Sequence, residues 1–450
     1  MERDTDGLPQ PERFWAVLAL AASIALSVMD SSIANVALPA IAADLGVAPA
    51  DAILVVNAYQ IAVVMSLLPL ASLGELLGYQ RVYRAGLVLF IGASCACALS
   101  ESLTGLTIAR AAQGLGAAGL MSVNTALVRF IYPQRLLGQG MGVNGLVVAL
   151  SSALGPTVAA GILSVAHWPW IFAVNIPIGL VALALAWRFL PQTPRASRRF
   201  DAASALLSAA TFGLFMTGVE QGTRGGGWLS ALPLLGGGIL AGFLLVRRQA
   251  GRPAPLLPVD LLRIPIFALS VLTSISSFAA QMLAFVALPF FLQHGLGRNQ
   301  VETGLLMTPW PVMLVIISPL AGRLSDRISA GLLGGIGLAV MACGLFLLAG
   351  LPPAPTALDI GWRMALCGLG FGLFQSPNNR ALLSSAPRER SGGASGMLST
   401  SRLIGQTTGA ALAALVLRLS GTDGTGTALT VAGGIAAAAA LISFSRLRAG

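Results

Sequence analysis

The sequence predicts an all-α polytopic membrane protein: two six-helix bundles with two helices inserted between them, fourteen transmembrane helices in total. Three observations predict it. First, 56% of the 450 residues are hydrophobic and only 10% are charged, a composition that soluble globular domains do not have. Second, the apolar residues gather into runs of spanning length, with the arginines falling almost wholly on one side of them. Third, widely separated segments match each other at a nearly constant shift.

Crossing the hydrocarbon core takes about 20 apolar residues in a helix. Runs of that kind, broken by glycine, proline or charged residues, lie near 14–38, 52–73, 82–100, 104–126, 138–163, 170–190, 203–220, 228–246, 266–292, 302–322, 331–350, 359–380, 393–417 and 426–445. No cleavable signal is expected, because the first run is too long and leads straight into further spans. All 27 basic residues are arginine. Twenty-one of them fall at the N-terminus or in connections that follow even-numbered spans, whereas Arg224, Arg298, Arg363 and Arg418 fall on the other side. Arginine-rich loops stay in the cytoplasm, so both termini are expected there, in a multi-pass protein of a bacterial cytoplasmic (inner) membrane. The sequence pI of about 10.8 is then a matter of topology, and no nucleic-acid partner is expected. The last two arginines, Arg110 and Arg402, lie inside spans. Cys95, Cys97, Cys343 and Cys367 also lie in apolar segments and read as small core residues, not as a disulfide or metal set.

The first span carries one ionisable side chain, Asp30. A carboxylate at that depth costs on the order of 3 kcal/mol, and burial favours its neutral, protonated form. A proton-binding role is the reading this supports; the bland alternative is a carboxylate satisfied by Ser31, Ser32 or Asn35. Arg110 does not deprotonate in proteins. It is expected to pair with Asp30, the alternative being a cap on the carbonyls of neighbouring helices.

A shift of 254 residues overlays Gly114, Gly116, Ser122, Asn124, Pro133, Gly138 and Gly142 on Gly368, Gly370, Ser376, Asn378, Pro387, Gly392 and Gly396. A shift of 250 overlays Val36–Pro39 on Val286–Pro289, and one of 251 brings Leu73 and Glu75 onto Leu324 and Asp326. Residues 1–192 are therefore expected to form one bundle, 193–262 two inserted helices packed outside it, and 263–450 the second bundle. Halves related in this way are the plan of secondary transporters, with substrate held near the midplane between them. In this register Asp30 faces Ala280 and Arg110 faces Met364, so ion coupling is expected to belong to the first half alone.

Four strings carry a resemblance to a known family. Met29-Asp30-Ser31-Ser32-Ile33-Ala34-Asn35-Val36-Ala37-Leu38-Pro39 and Arg110-Ala-Ala-Gln113-Gly114-Leu-Gly116 are the first two. Gly155-Pro156-Thr-Val-Ala-Ala-Gly161 and Trp168-Pro-Trp170-Ile-Phe172-Ala-Val-Asn175-Ile-Pro177-Ile-Gly179 are the others. Together they resemble the 14-span drug:proton antiporters of the major facilitator superfamily, including the quaternary-ammonium and multidrug efflux type, over essentially the whole chain. The third string is a variant of the antiporter motif, with alanine at both of its closing glycines. The family's cytoplasmic loop motif is altered here. Around Glu75 both nearby arginines are lost and only Arg81 remains, whereas the second copy keeps Asp326 and Arg327. The resemblance implies a gate at these four residues.

The polar side chains Asn35, Asn57, Tyr59, Gln60, Gln113, Asn124, Asn144, Gln281, Gln375 and Asn378, with Phe285, are candidates for the cavity lining, although any one polar side chain in a span is more often a helix–helix hydrogen bond than a ligand. Met65, Met121, Met282, Met307 and Met313 are the soft apolar surface that a promiscuous site uses. Trp168 and Trp170 read as interfacial anchors. No Ser–His–Asp set, metal-spaced cluster or phosphate-binding loop is visible, so neither an enzyme, nor ATP-driven transport, nor a cofactor or metal is expected. The function this implies is proton-coupled efflux of lipophilic, cationic drugs or antiseptics by alternating access, by a monomer whose partners are a small-molecule substrate, protons and the bilayer. The alternatives are export of one defined metabolite or lipid, or lipid translocation without proton coupling.

Overall fold

The computed structural model describes residues 7–448 apart from 48, 53, 198, 224–227, 250–257, 259, 299, 353 and 421–423. The side chains of Asn35 and Pro156 also lie outside the described set. Among the described residues the chain is helical throughout, without strands. The first six long helices are α1 (Glu12–Asp44), α2 (Leu54–Leu77), α3 (Tyr79–Ala98), α4 (Leu103–Ile131), α5 (Leu137–Val165) and α6 (Asn175–Phe189), the last preceded by a helical turn at Trp170–Ala173. Then come α7 (Ala202–Thr223) and α8 (Trp228–Gln249). The last six are α9 (Pro265–Phe290), α10 (Pro309–Leu324, after the shorter Gln300–Met307), α11 (Ala330–Ala349), α12 (Ala357–Ser385), α13 (Ser391–Ser420) and α14 (Gly424–Ser445). With no water in a bilayer core, intra-segment hydrogen bonding is what allows such apolar stretches to cross.

Twelve helices among the described residues are long and apolar enough to cross a membrane, against the fourteen spans expected. The difference falls on α5 and α13, helices of 29 and 30 residues that include side chains outside the described set.

Small residues let helices approach until backbones touch, and the repeat register recurs in these approaches. A Cβ on Gly116 of α4 would meet Phe90 N of α3 at 2.6 Å, and one on Gly370 of α12 would meet Met341 N of α11 at 2.4 Å. Likewise, a Cβ on Gly114 would lie 2.4 Å from Tyr59 O, and one on Gly368 2.2 Å from Trp310 O. The same helix pairs thus close at the same positions in both copies.

Within α1–α6, α1 packs on α5 and α6, and α2 and α3 pack on α4. Within α9–α14, α9 packs on α12, α13 and α14, and α11 on α12 and α14. The two sets meet where α5 packs on α10 and where α13 packs on α2 and α4. Outside them α8 lies against α7, and α7 against α2. The seventh helix is not wholly peripheral, however, because Met216 and Val219 line the central cavity. A helix apolar on every side gives no sign in sequence of which side faces lipid and which a cavity.

Candidate functional site

A cavity of about 560 Å³ lies between the two helix sets, within the range of small-molecule sites. Ser27, Val28 and Ser31 of α1, Asn57, Tyr59 and Gln60 of α2, Met121 of α4 and Met282 of α9 line it, with Arg402, Leu403, Gln406 and Thr407 of α13. Asn57, Tyr59 and Gln60 are thus brought together as expected candidates. A second, 60 Å³ pocket shares Val28, Met121 and Arg402 with the first and adds Asn124, Asn144 and Gln375. The remaining candidates are elsewhere. Phe285 packs on Trp310 with ring centroids 4.9 Å apart, and Gln281 is half-buried outside both linings. Asn378 is buried in a contact among helices, where its Oδ1 accepts from Arg446 Nη1 at 2.8 Å. Met65, Met307 and Met313 line neither space.

Asp30 is buried and lies outside the cavity lining among the described residues. It forms an ion pair with Arg110 Nη1, and its other oxygen accepts from Gln113 Nε2 at 2.9 Å and Asn175 Nδ2 at 2.8 Å. Gln113 also accepts from Arg110 Nη1 at 2.6 Å and donates to Ser94 Oγ at 2.8 Å. Arg110 Nε donates to the Val55 carbonyl at 3.2 Å, and the guanidinium carbon stands 4.3 Å from the Tyr59 ring centroid. Arg110 Nη2 alone in this cluster lacks a hydrogen-bond partner among the described residues. A buried ion pair offsets its desolvation only when further hydrogen bonds satisfy the remaining atoms, and α2, α4 and α6 supply them here. Gln113 is therefore a positioning group for the pair rather than part of the lining. Asn175 and Ser94 were missed as partners. Asn175 stood inside the fourth motif string, but its reach to Asp30 needs the fold to be seen.

Tyr59 separates the two regions. Its ring carries Arg110, its hydroxyl donates to the Ser27 carbonyl at 3.1 Å, and it lines the cavity as well.

One end of the bundle gathers Leu8, bonded to the Ile131 carbonyl, and Arg446, just past α14. There Glu75, at the end of α2, accepts from Gly393 N at 2.7 Å in the first turn of α13. Asp326, just past α10, accepts from Gly138 N at 3.0 Å in the first turn of α5. Each carboxylate thus reaches across to the N-terminus of a helix in the other set, where free N–H groups and the helix dipole favour an anion. Arg390 lies 3.7 Å from Glu75 and 2.9 Å from Asp260, and Arg380 lies 3.4 Å from Asp326. Arg129 of α4 donates to the Leu383 and Ala386 carbonyls at 3.0 and 2.9 Å, capping α12. Arg81 and Arg327, the basic residues expected here, are exposed, and the arginines that close this end are Arg129, Arg380 and Arg390. Buried Arg446 also donates to Ser270 Oγ at 3.1 Å; burial lowers its guanidinium to about 10, so it remains charged at neutral pH.

Two further expectations change. Trp168 is buried, donating to Asp44 Oδ2 at 2.7 Å and packing edge-on against Phe172, whereas Trp170 is exposed. In the antiporter motif Gly155 is buried, but Gly161 is exposed and a Cβ there would meet nothing within 4 Å, so close packing does not require that glycine.

Residues 20–410 match the family model described as Major Facilitator Superfamily. The chain is 56% identical over 444 residues to the uncharacterized transporter YebQ of Escherichia coli K12, covering 98% of this chain and 97% of that protein. It is 32% identical over 395 residues to the multidrug resistance protein Stp of Mycobacterium tuberculosis, covering 86% and 73%. Among solved structures, human MFSD10 (TETRAN), described as an organic anion transporter, superposes with a TM-score of 0.72 over 96% of this chain and all of that one. At 16% identity that likeness shows the fold alone.

Proposed function

The chain belongs to the Major Facilitator Superfamily, whose members are transporters and not enzymes, and from that premise we propose a proton-coupled exporter of lipophilic compounds working by alternating access. The observation that carries the coupling is the Asp30–Arg110 pair, buried, hydrogen-bonded to Gln113, Asn175 and the Val55 carbonyl, and set behind the ring of Tyr59. Protonation of Asp30 removes the charge that balances Arg110 and leaves the cation held by Gln113, the Val55 carbonyl and the Tyr59 and Phe172 rings. The helices that share the pair are then free to rearrange, and Tyr59 passes the change to the cavity wall. Glu75–Gly393 and Asp326–Gly138 are the contacts that must part when the cavity turns to the other side.

The finer architecture belongs to the same proposal. The N-terminal bundle is 1–192, the inserted helices 193–262 and the C-terminal bundle 263–450. Counting α5 and α13 gives fourteen spans, as in drug:proton antiporters, and the arginine-rich end faces the cytoplasm of a bacterial cell. The apolar lining supports a lipophilic substrate, and the likeness to a multidrug resistance protein supports export. The carboxylate that would balance a cationic substrate, Asp30, is taken up by Arg110 and lies outside the cavity lining.

The test is proton flux in proteoliposomes. Asp30→Asn is expected to insert and bind substrate but to lose substrate-driven proton movement. Undiminished proton flux in that variant removes the coupling role.

A further inference from the structure

Arg402 is the intramembrane charge that the coupling chemistry leaves unused. It sits on α13, half-buried, its guanidinium carbon 5.6 Å from the Phe278 ring centroid, and it makes no hydrogen bond or ion pair to a described residue. It forms part of the wall shared by the 560 Å³ cavity and the 60 Å³ pocket. That pocket holds two more unsatisfied groups. Gln375 and Asn124 are 7% and 2% exposed, and among the described residues Gln375 Oε1 and Asn124 Oδ1 have no hydrogen-bond partner. Buried polar groups are normally paired, and leaving them unpaired is costly. A guanidinium with five donors and no acceptor, beside two orphan carbonyl oxygens, is the outline of a missing ligand rather than of a helix contact.

Resting on the transporter reading, we propose that Arg402 anchors an acidic group, so that the cavity takes lipophilic organic acids. The carboxylate lies in the plane of the Arg402 fork, which binds such groups through two parallel hydrogen bonds, while Phe278 steadies the guanidinium from its face. A hydroxyl or N–H of the same ligand donates to Gln375 or Asn124. The apolar body rests on Met121, Met282 and Val286, above this polar floor. Among the described residues no carboxylate lines either space. A lipophilic cation would therefore meet an unbalanced like charge where the dielectric is low.

The test uses the purified full-length chain and three fluorescent probes with one body: pyrenebutyrate, its methyl ester and pyrenebutyl-trimethylammonium. Pyrenebutyrate is expected to bind about tenfold more tightly than either of the others, the scale of one charge-assisted hydrogen-bond pair. Arg402→Gln brings it to within about twofold of the ester, while Arg402→Lys, which keeps the charge but not the fork, retains part of the preference. Unchanged ester binding in Arg402→Gln shows an intact cavity; if that variant does not fold, loss of all preference in Arg402→Lys overturns the proposal. So do tighter binding of the ammonium probe, equal weakening of all three probes by Arg402→Gln, or no binding of any. Movement of the probes in energised proteoliposomes separates the two readings. Carboxylate preference without proton-driven movement sinks the transporter reading alone, and proton-driven movement without preference sinks the Arg402 proposal alone.

Discussion

At the end of the bundle that holds Leu8 and Arg446, the two helix sets do the same thing. Glu75 closes α2 onto the first turn of α13, and Asp326 closes α10 onto the first turn of α5. Halfway along the helices they part company. Asp30 and Arg110 form a polar cluster in the first set, whereas the positions that match them by register, Ala280 and Met364, are fully buried in an apolar core with Trp310 and Phe371. Closure is thus shared between the repeats, while the charge that can take a proton belongs to one of them. A duplicated frame can keep its latch symmetric, since each half needs the other's helix terminus. It gains nothing from a second buried ion pair, which costs desolvation wherever it is placed.

The largest expected effect tests the asymmetric part. Arg110→Met strands a buried carboxylate and is expected to destabilise the protein by about 3–5 kcal/mol. Adding Asp30→Asn recovers most of that loss while proton flux stays absent. Thermal unfolding of the two variants checks it, and a double variant no more stable than Arg110→Met breaks the idea that the pair is one unit.

Next in size are the glycines under the latch. A Cβ on Gly138 would fall 2.4 Å from Gly322 O, and one on Gly392 would fall 2.7 Å from Glu75 Cγ. Gly138→Ala and Gly392→Ala are each expected to wedge this end apart, at the roughly 1–3 kcal/mol typical of overpacking. Spin-label distances across the end should lengthen in both. Lengthening in only one shows that the latch is less symmetric than its contacts.

Removing the carboxylate charge alone is milder. Glu75→Gln and Asp326→Asn are each expected to shift the closed population by about 1–2 kcal/mol, the worth of a hydrogen bond to a charged group. Glu75 should show the larger effect, being the more buried of the two carboxylates. The smallest effects belong to Arg81→Gln and Arg327→Gln, within about 0.5 kcal/mol as for exposed side chains in general. A clear opening by Arg327→Gln in the same distance measurement restores it to the latch.

Much of this was legible in sequence where a residue broke its local pattern. Asp30 and Arg110 are single charges in apolar runs, and Glu75 and Asp326 stand at matching positions of the repeat. What they touch was less legible. Glu75 and Asp326 bind backbone N–H groups, which every residue but proline offers, so no partner side chain marks the contact. Arg81 and Arg327 lie beside the motif in sequence, yet Arg390 and Arg380 arrive from other helices. Met216 and Val219 reach the cavity from a helix whose composition is the same on every side. Arg402 was visible as an in-span charge; only the cavity around it gives that charge a use.

Tyr59 has a consequence for measurement. The cavity and the buried ion pair are separated by the thickness of one aromatic ring, which touches both. Linkage between two sites is reciprocal: whatever factor a bound ligand imposes on proton affinity, the proton imposes on the ligand's affinity. The strength of the proposed coupling is therefore an equilibrium property of the resting protein. Titrating ligand at two pH values, in wild type and in Tyr59→Leu, reads it without a membrane, a gradient or a turnover.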